Sequence, residues 1–102
     1  MSVYLIIEIQ VADQETYGEY LRKVPPTVEK HGGRYLVRGG RVVPVAGDWR
    51  PERIVVVEFP SFEHLERWSE SPEYQALAPL RMRATSGRAI AVEGVAGQGK
   101  IQ

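Results

Sequence analysis

From Val3 to Val11 every odd position is apolar (Val3, Leu5, Ile7, Ile9, Val11), while the even positions read Tyr4, Ile6, Glu8 and Gln10. A period of two with β-branched enrichment places one set of side chains on each face of a strand. So long an alternation calls for a sheet with one wholly apolar face and one mixed face. ERIVVVEF at 52–59 is the clearest companion strand, and Arg34–Arg38 and Arg88–Val95 read as two more.

Helical signals fall between these runs. Asp13 is placed to cap a helix in which Tyr17, Tyr20, Leu21 and Val24 recur at helical spacing. Pro25-Pro26 is expected to break or kink it, because each proline lacks an amide donor and Pro26 disfavours the α region at Pro25. A second helical stretch, Thr27 to His31, ends at Gly32-Gly33, a left-handed stop. Arg41 to Ala46 either extends the second strand or forms a separate ribbon, and GDWRPE at 47–52 is a loop. Pro60-Ser61 caps a helix in which Phe62, Leu65 and Trp68 are expected to line one side, and Ser71-Pro72 pairs an N-cap with proline at the first helical position. Tyr74, Leu77, Leu80 and Ala84 continue that pattern until Gly87, read as its stop. The order β-α-β-β-α-β is the split βαβ plan of a ferredoxin-like α+β domain with a four-stranded antiparallel sheet. We expect one domain over 1–96 and a loose tail at 97–102.

Composition narrows the function classes. Thirteen basic residues balance thirteen acidic ones, so no broad field attracts nucleic acid or an anionic membrane. The chain has no cysteine and two histidines without ligand spacing, so neither a metal site nor a cofactor is expected. The apolar start is interrupted by Glu8 and Gln10 and lacks a basic leader, which makes a cytoplasmic location the expectation. RNA recognition on the sheet would need several exposed aromatics, and GRYLVRGG offers one.

The helices of such a fold cover one sheet face. The purer apolar set, Leu5, Ile7, Ile9, Tyr35, Val37, Val55, Val57, Phe59, Ile90 and Val92, is expected to face them. The opposite face then holds Tyr4, Ile6, Leu36, Ile54, Val56, Ala89 and Ala91, too apolar for water. Covering it with the same face of a second copy gives an isologous homodimer that closes an α+β barrel. The same phase puts Glu8, Glu58, Glu93, Arg34 and Arg38 in that seam, as register-setting ion pairs or as a polar pocket for an anion.

The glycines of HGGRYLVRGG match neither phosphate-binding fingerprint, because no Lys-Ser/Thr follows them and they open no helix. They mark the two ends of a strand. His31 is the candidate general base, or else a histidine that interacts with a helix C-terminus. Trp49 is a packing anchor or a lid with Asp48 and Arg53 near it. Ser71 and Tyr74 could place hydroxyls at a pocket mouth, although Ser71 is explained by its capping position. Arg81 lies one turn below Leu77, where it would need an anionic partner.

HGGRYLVRGG, then GDWRPERIVVVEFPS, then SPEYQALAPLR resemble, in this order, the small, mainly bacterial proteins of domain of unknown function 1330, within the dimeric α+β barrel superfamily. The resemblance runs from Tyr4 to Val95. It implies a ferredoxin-like protomer, a barrel-forming dimer, and a ligand cavity between sheet and helices. Superfamily relatives include cofactor-free monooxygenases acting on aromatic polyketides, lactone isomerases and haem-binding branches, with no motif shared at residue level. The matching family positions, His31, Gly32, Gly33, Arg34, Tyr35, Arg38, Gly39, Asp48, Trp49, Arg53, Glu58, Ser71, Tyr74 and Arg81, supply the candidates, with His31 as base and Arg38, Asp48, Trp49, Arg53, Ser71, Tyr74 and Arg81 as ligand contacts. The expectation is a homodimer that binds a small organic molecule, anions included. The alternatives are a non-catalytic interaction dimer and a cofactor-independent isomerase or monooxygenase.

Overall fold

A computed structural model of the chain describes residues 1–95; the tail expected at 97–102 lies outside them. The elements are β1 (Val3–Val11), α1 (Gln14–Lys30), β2 (Arg34–Arg38), β3 (Arg53–Phe59), α2 (Phe62–Glu70), α3 (Pro72–Ala84) and β4 (Thr85–Glu93). The strands form one antiparallel sheet in the order β2-β3-β1-β4. The fold is therefore the expected α+β, ferredoxin-like plan, its second crossover made of two helices that meet at Ser71.

Asp13 caps α1 through both oxygens, accepting from the Thr16 amide at 3.1 Å and from its hydroxyl at 2.7 Å. Tyr17, Tyr20, Val24, Thr27 and Val28 form the buried stripe. At the far end the Gly33 amide reaches Val28 O at 2.9 Å and the Gly32 amide reaches Glu29 O at 3.0 Å. With Gly32 at φ 80° this is a Schellman stop. Gly33 must be small, since a Cβ would lie 2.7 Å from Val28 Cγ1 and 2.8 Å from the Phe59 ring.

The prolines do not break α1, which runs unbroken from Gln14 to Lys30. Pro25 has no amide to give Leu21 O, and Arg38 supplies the missing donor from Nη2 at 2.6 Å. Pro26 is exposed.

Two further departures reset the sheet faces. A bulge between Tyr35 and Val37 shifts β2, so that Tyr35 opposes Val57 but Val37 opposes Val56 and Arg38 opposes Val55. An inserted residue inverts the alternation beyond it. Val37 therefore joins the outer face and Arg38 the helix face, the reverse of the expected placement. In β4 the phase is also inverted. Ala89 opposes Ile7 and Ala91 opposes Leu5 on the helix face, whereas Ile90 opposes Ile6 and Val92 opposes Tyr4 on the outer face. Glu93 opposes Val3 on the helix face and so leaves the seam charges. The cause is local. Gly87 does not stop α3, which ends at Ala84, with Thr85 Oγ1 donating to Arg81 O at 2.7 Å. β4 begins at once, and Gly87 sits within it, where a Cβ would overlap the Glu8 carbonyl oxygen.

Residues 39–52 form no strand, neither extending β2 nor making a ribbon. The core lies between helices and sheet around Phe59, which is fully buried and packs on Trp68 at 5.5 Å; Trp68 in turn meets Tyr74 at 4.1 Å. Burial of each such ring stabilises the fold by about 1.5–3 kcal/mol. Trp68 Nε1 donates to Thr27 Oγ1 at 3.0 Å, and Thr27 donates to Val24 O at 2.7 Å, so the buried indole and the Thr27 hydroxyl are both paired.

Candidate functional site

The helices stand off the middle of the sheet and leave a cavity of about 510 Å³ between them. That volume is in the range of small-molecule sites. Its floor is the helix face of the sheet, with Leu5, Ile7, Val55 and Val57, and its walls include Val24 of α1 and Ala78 of α3. The amphipathic periods that build the fold also line the cavity, and the stripe of α1 brings the phenols of Tyr17 and Tyr20 to its wall.

Polar groups enter this apolar chamber at a few points. Tyr20 and Tyr74 approach hydroxyl to hydroxyl at 3.4 Å, and Arg81 Nε donates to the Tyr74 oxygen at 3.1 Å. Burial, followed by the adjoining Tyr74, pushes the Tyr20 phenol far above its ordinary value. Burial raises Tyr35 as well, and Arg38, stacked over its ring at 4.8 Å, partly opposes the rise. Tyr20 and Tyr35 are therefore neutral hydrogen-bonding groups at neutral pH.

A smaller recess of about 230 Å³ shares Tyr17 and Leu21 with the main cavity. There Arg53 Nε donates to Tyr17 Oη at 3.0 Å, and Gly39, at φ 74°, lies flush against the guanidinium where any Cβ would overlap it. Glu52 accepts from the Val11 amide at 2.8 Å on the same rim. Among the described residues, no carboxylate lies within ion-pair distance of Arg38, Arg53 or Arg81. One carboxylate, the exposed Glu70, contributes to the cavity wall.

Of the candidates read from the sequence, Arg38, Tyr74 and Arg81 line the cavity, and Arg53 lines the recess beside it. Ser71 is buried, but its hydroxyl donates to Trp68 O at 2.8 Å and accepts from the Tyr74 amide at 3.2 Å, which is capping. His31 caps α1, with Nδ1 2.9 Å from Thr27 O, and does not line either space. Asp48 and Trp49 sit on the exposed 39–52 segment, where the indole donates to Glu8 Oε2 at 3.4 Å on the outer sheet face. Tyr35, a matching family position, also lines the cavity, whereas sequence reasoning did not nominate Tyr17 or Tyr20. The available signal was a phenol, with its polar tip, at positions of a buried stripe.

On the outer face Val37, Val56, Ile6 and Ile90 form one apolar row across all four strands. Ile90 is 61% exposed and Val37 39%. Two ion pairs flank the row, Arg34–Glu58 at 2.5 Å and Arg88–Glu8 at 2.7 Å. A hydrogen bond from Ser2, followed by that from Arg34, holds Glu58 below the ordinary carboxylate value. Among the described residues there is no cluster of three or more metal-ligating side chains, and no helix is long and apolar enough to cross a membrane.

Solved structures share this architecture. A protein of unknown function from Rhodopseudomonas palustris aligns at 19% identity over 94% of this chain and 84% of its own, with a TM-score of 0.77. SnoaB, a cofactor-independent oxygenase from Streptomyces nogalater, aligns at 7% identity over 97% of this chain and 98% of its own, with a TM-score of 0.64. A dimeric protein of unknown function and ferredoxin-like fold from Bacteroides fragilis aligns at 16% identity over 91% of this chain and 96% of its own, with a TM-score of 0.58. At these identities the likeness is one of fold. No curated protein matches the chain. The family described as Domain of unknown function (DUF1330) matches residues 2–95, and the chain belongs to that family.

Proposed function

We propose that the protein binds a small organic anion in the cavity between its sheet and helices, as a cytoplasmic homodimer. The observation that carries this reading is the pairing of an apolar chamber of about 510 Å³ with Arg38 and Arg81, neither of which has a carboxylate partner among the described residues. A guanidinium beside a low-dielectric space favours an anion that neutralises it. A thermal-shift screen of small metabolites tests the reading, because a ligand of the native state at a hundredfold its Kd adds about 2.7 kcal/mol of stability. A ligand-induced rise should be lost in Arg38→Ala and kept in His31→Ala. Equal rises in the wild type and Arg38→Ala would remove Arg38 from the site.

A second copy covering the outer face completes the proposal. The row Val37–Val56–Ile6–Ile90 is self-complementary under a two-fold axis, and charges above and below it suit an isologous contact. The similar Bacteroides fragilis protein is dimeric. Sedimentation at micromolar concentration should give twice the monomer mass, and a monomer would end the dimer reading.

The intraprotomer pairs Arg34–Glu58 and Arg88–Glu8 favour a second reading, a non-catalytic dimer whose charges set register. Should a ligand bind, cofactor-independent isomerase or oxygenase chemistry is the class to assay, since SnoaB, a cofactor-independent oxygenase, has a similar fold.

A further inference from the structure

Tyr20 and Tyr74 are each 8% exposed, and both line the cavity. Their hydrogen-bond count does not close. Arg81 Nε can only donate, and it donates to the Tyr74 oxygen at 3.1 Å. The 3.4 Å contact between the two hydroxyls uses one phenolic proton. Whichever tyrosine supplies that proton, the other's is left over, and among the described residues no acceptor is in reach of it. A buried O–H without an acceptor costs about 1–3 kcal/mol, so the arrangement favours an incoming oxygen.

The neighbouring charge specifies what kind of oxygen. Arg81 is half-buried and lines the same cavity; Tyr74 occupies its Nε, and among the described residues its terminal amino groups have no partner. One guanidinium and one phenolic proton match the two oxygens and single charge of a carboxylate. The exposed Glu70 on the cavity wall disfavours a dianion such as a phosphate monoester. Beyond these groups the lining is mainly aliphatic and aromatic, with Arg38, Ser69 and Gln75 as its other polar side chains.

We infer that Tyr20, Tyr74 and Arg81 form the receptor for the carboxylate of a monocarboxylic acid whose apolar body occupies the rest of the cavity. The inference rests on the cavity-binding reading above and goes further by naming the contacting atoms and the class of ligand. In this arrangement Arg81 acts twice, as a charge partner for the acid and as the donor that polarises the Tyr74 hydroxyl. Tyr20, kept neutral by burial, orients Tyr74.

The test pairs monocarboxylates of graded size, from hexanoate to 2-naphthoate, with their uncharged primary amides. Binding is followed by calorimetry and by the methyl NMR signals of Val57 and Ala78, which report from the cavity. The wild type should bind at least one acid more than tenfold more tightly than its amide. Tyr74→Phe, which keeps the ring, should weaken the acid about tenfold or more and change the amide less than twofold. Arg81→Gln should do the same, and Tyr20→Phe provides a second hydroxyl deletion if either variant folds poorly. Equal affinities for acid and amide, or an acid affinity unchanged in Tyr74→Phe and Tyr20→Phe, would overturn the receptor while leaving the cavity reading intact. If no acid or amide moves the cavity methyl signals at millimolar concentration, both fall.

Discussion

Arg38 donates from Nη2 to the carbonyl of Leu21 at 2.6 Å, the carbonyl that Pro25 has no amide to reach. A surface arginine on β2 thus closes the defect that a proline opens in α1, and joins strand to helix above the cavity. Removing Arg38 leaves that acceptor to water, whereas replacing Pro25 by alanine restores the helix's own donor. Arg38→Ala should therefore cost about 1 kcal/mol in the wild type and less in a Pro25→Ala background. A double-mutant cycle by urea denaturation measures the coupling, and strict additivity would show that the two positions act independently.

Gly87 permits β4 to lie against β1. A Cβ there overlaps the Glu8 carbonyl, which is backbone and cannot rotate away. Gly87→Ala should destabilise the fold by about 1–3 kcal/mol, read as a shift of the urea midpoint with little change in slope. Gly40→Ala, where a Cβ meets nothing within 4 Å, is the control and should be within about 0.5 kcal/mol of the wild type.

Ile90 separates a monomer from a sheet-stacked dimer. In an isolated protomer it is 61% exposed, and Ile90→Glu should change stability by no more than about 0.5 kcal/mol. In the proposed dimer the same change buries an unpaired carboxylate at the centre of the contact. Sedimentation should then show dissociation, accompanied by a concentration-dependent loss of melting temperature.

Three carboxyls, those of the exposed Asp13 and Glu73 and the half-buried Glu58, set an acid limb on the stability curve. Thr16 hydrogen bonds lower Asp13 from its ordinary 3.8, Ser2 and then Arg34 lower Glu58 from 4.5, and the Lys30 hydrogen bond lowers Glu73 from 4.5. Each binds fewer protons folded than unfolded. Their contribution is therefore complete above these ordinary values and is lost as pH falls through the depressed ones. Melting temperature should decline below about pH 4.5, less steeply in Glu73→Gln and less steeply in high salt.

Much of the fold is legible in the residues themselves, for identifiable reasons. The alternation from Val3 to Val11 and from Arg53 to Phe59 assigns the two central strands and their helix-facing sides, because burial of one face leaves a period of two in the chain. Asp13, Ser61 and Ser71 announce their helices, and Gly32 and Gly33 announce the end of α1, since caps are satisfied by atoms within a few residues. Tyr74 and Arg81 stand out as polar side chains on a helix expected to pack against the sheet.

The remainder depends on contacts between segments distant in sequence, and there the local rules were insufficient. Pro25 ends a helix by every local criterion, yet a donor from β2 offsets its missing bond. Arg38 reaches that carbonyl only because the bulge after Tyr35 turns it to the helix face, and a bulge is a property of the pairing with β3. The faces of β4 follow from where Gly87 meets Glu8, which settles whether Ile90 faces helix or solvent. The sequence by itself determined the strands, the caps and the ferredoxin-like order, because those follow from periodicity and short-range hydrogen bonds. Only the tertiary structure decided which arginine lines the cavity and which residues form the apolar outer row, because both depend on strand register, and a one-residue shift in register exchanges the two faces of a strand.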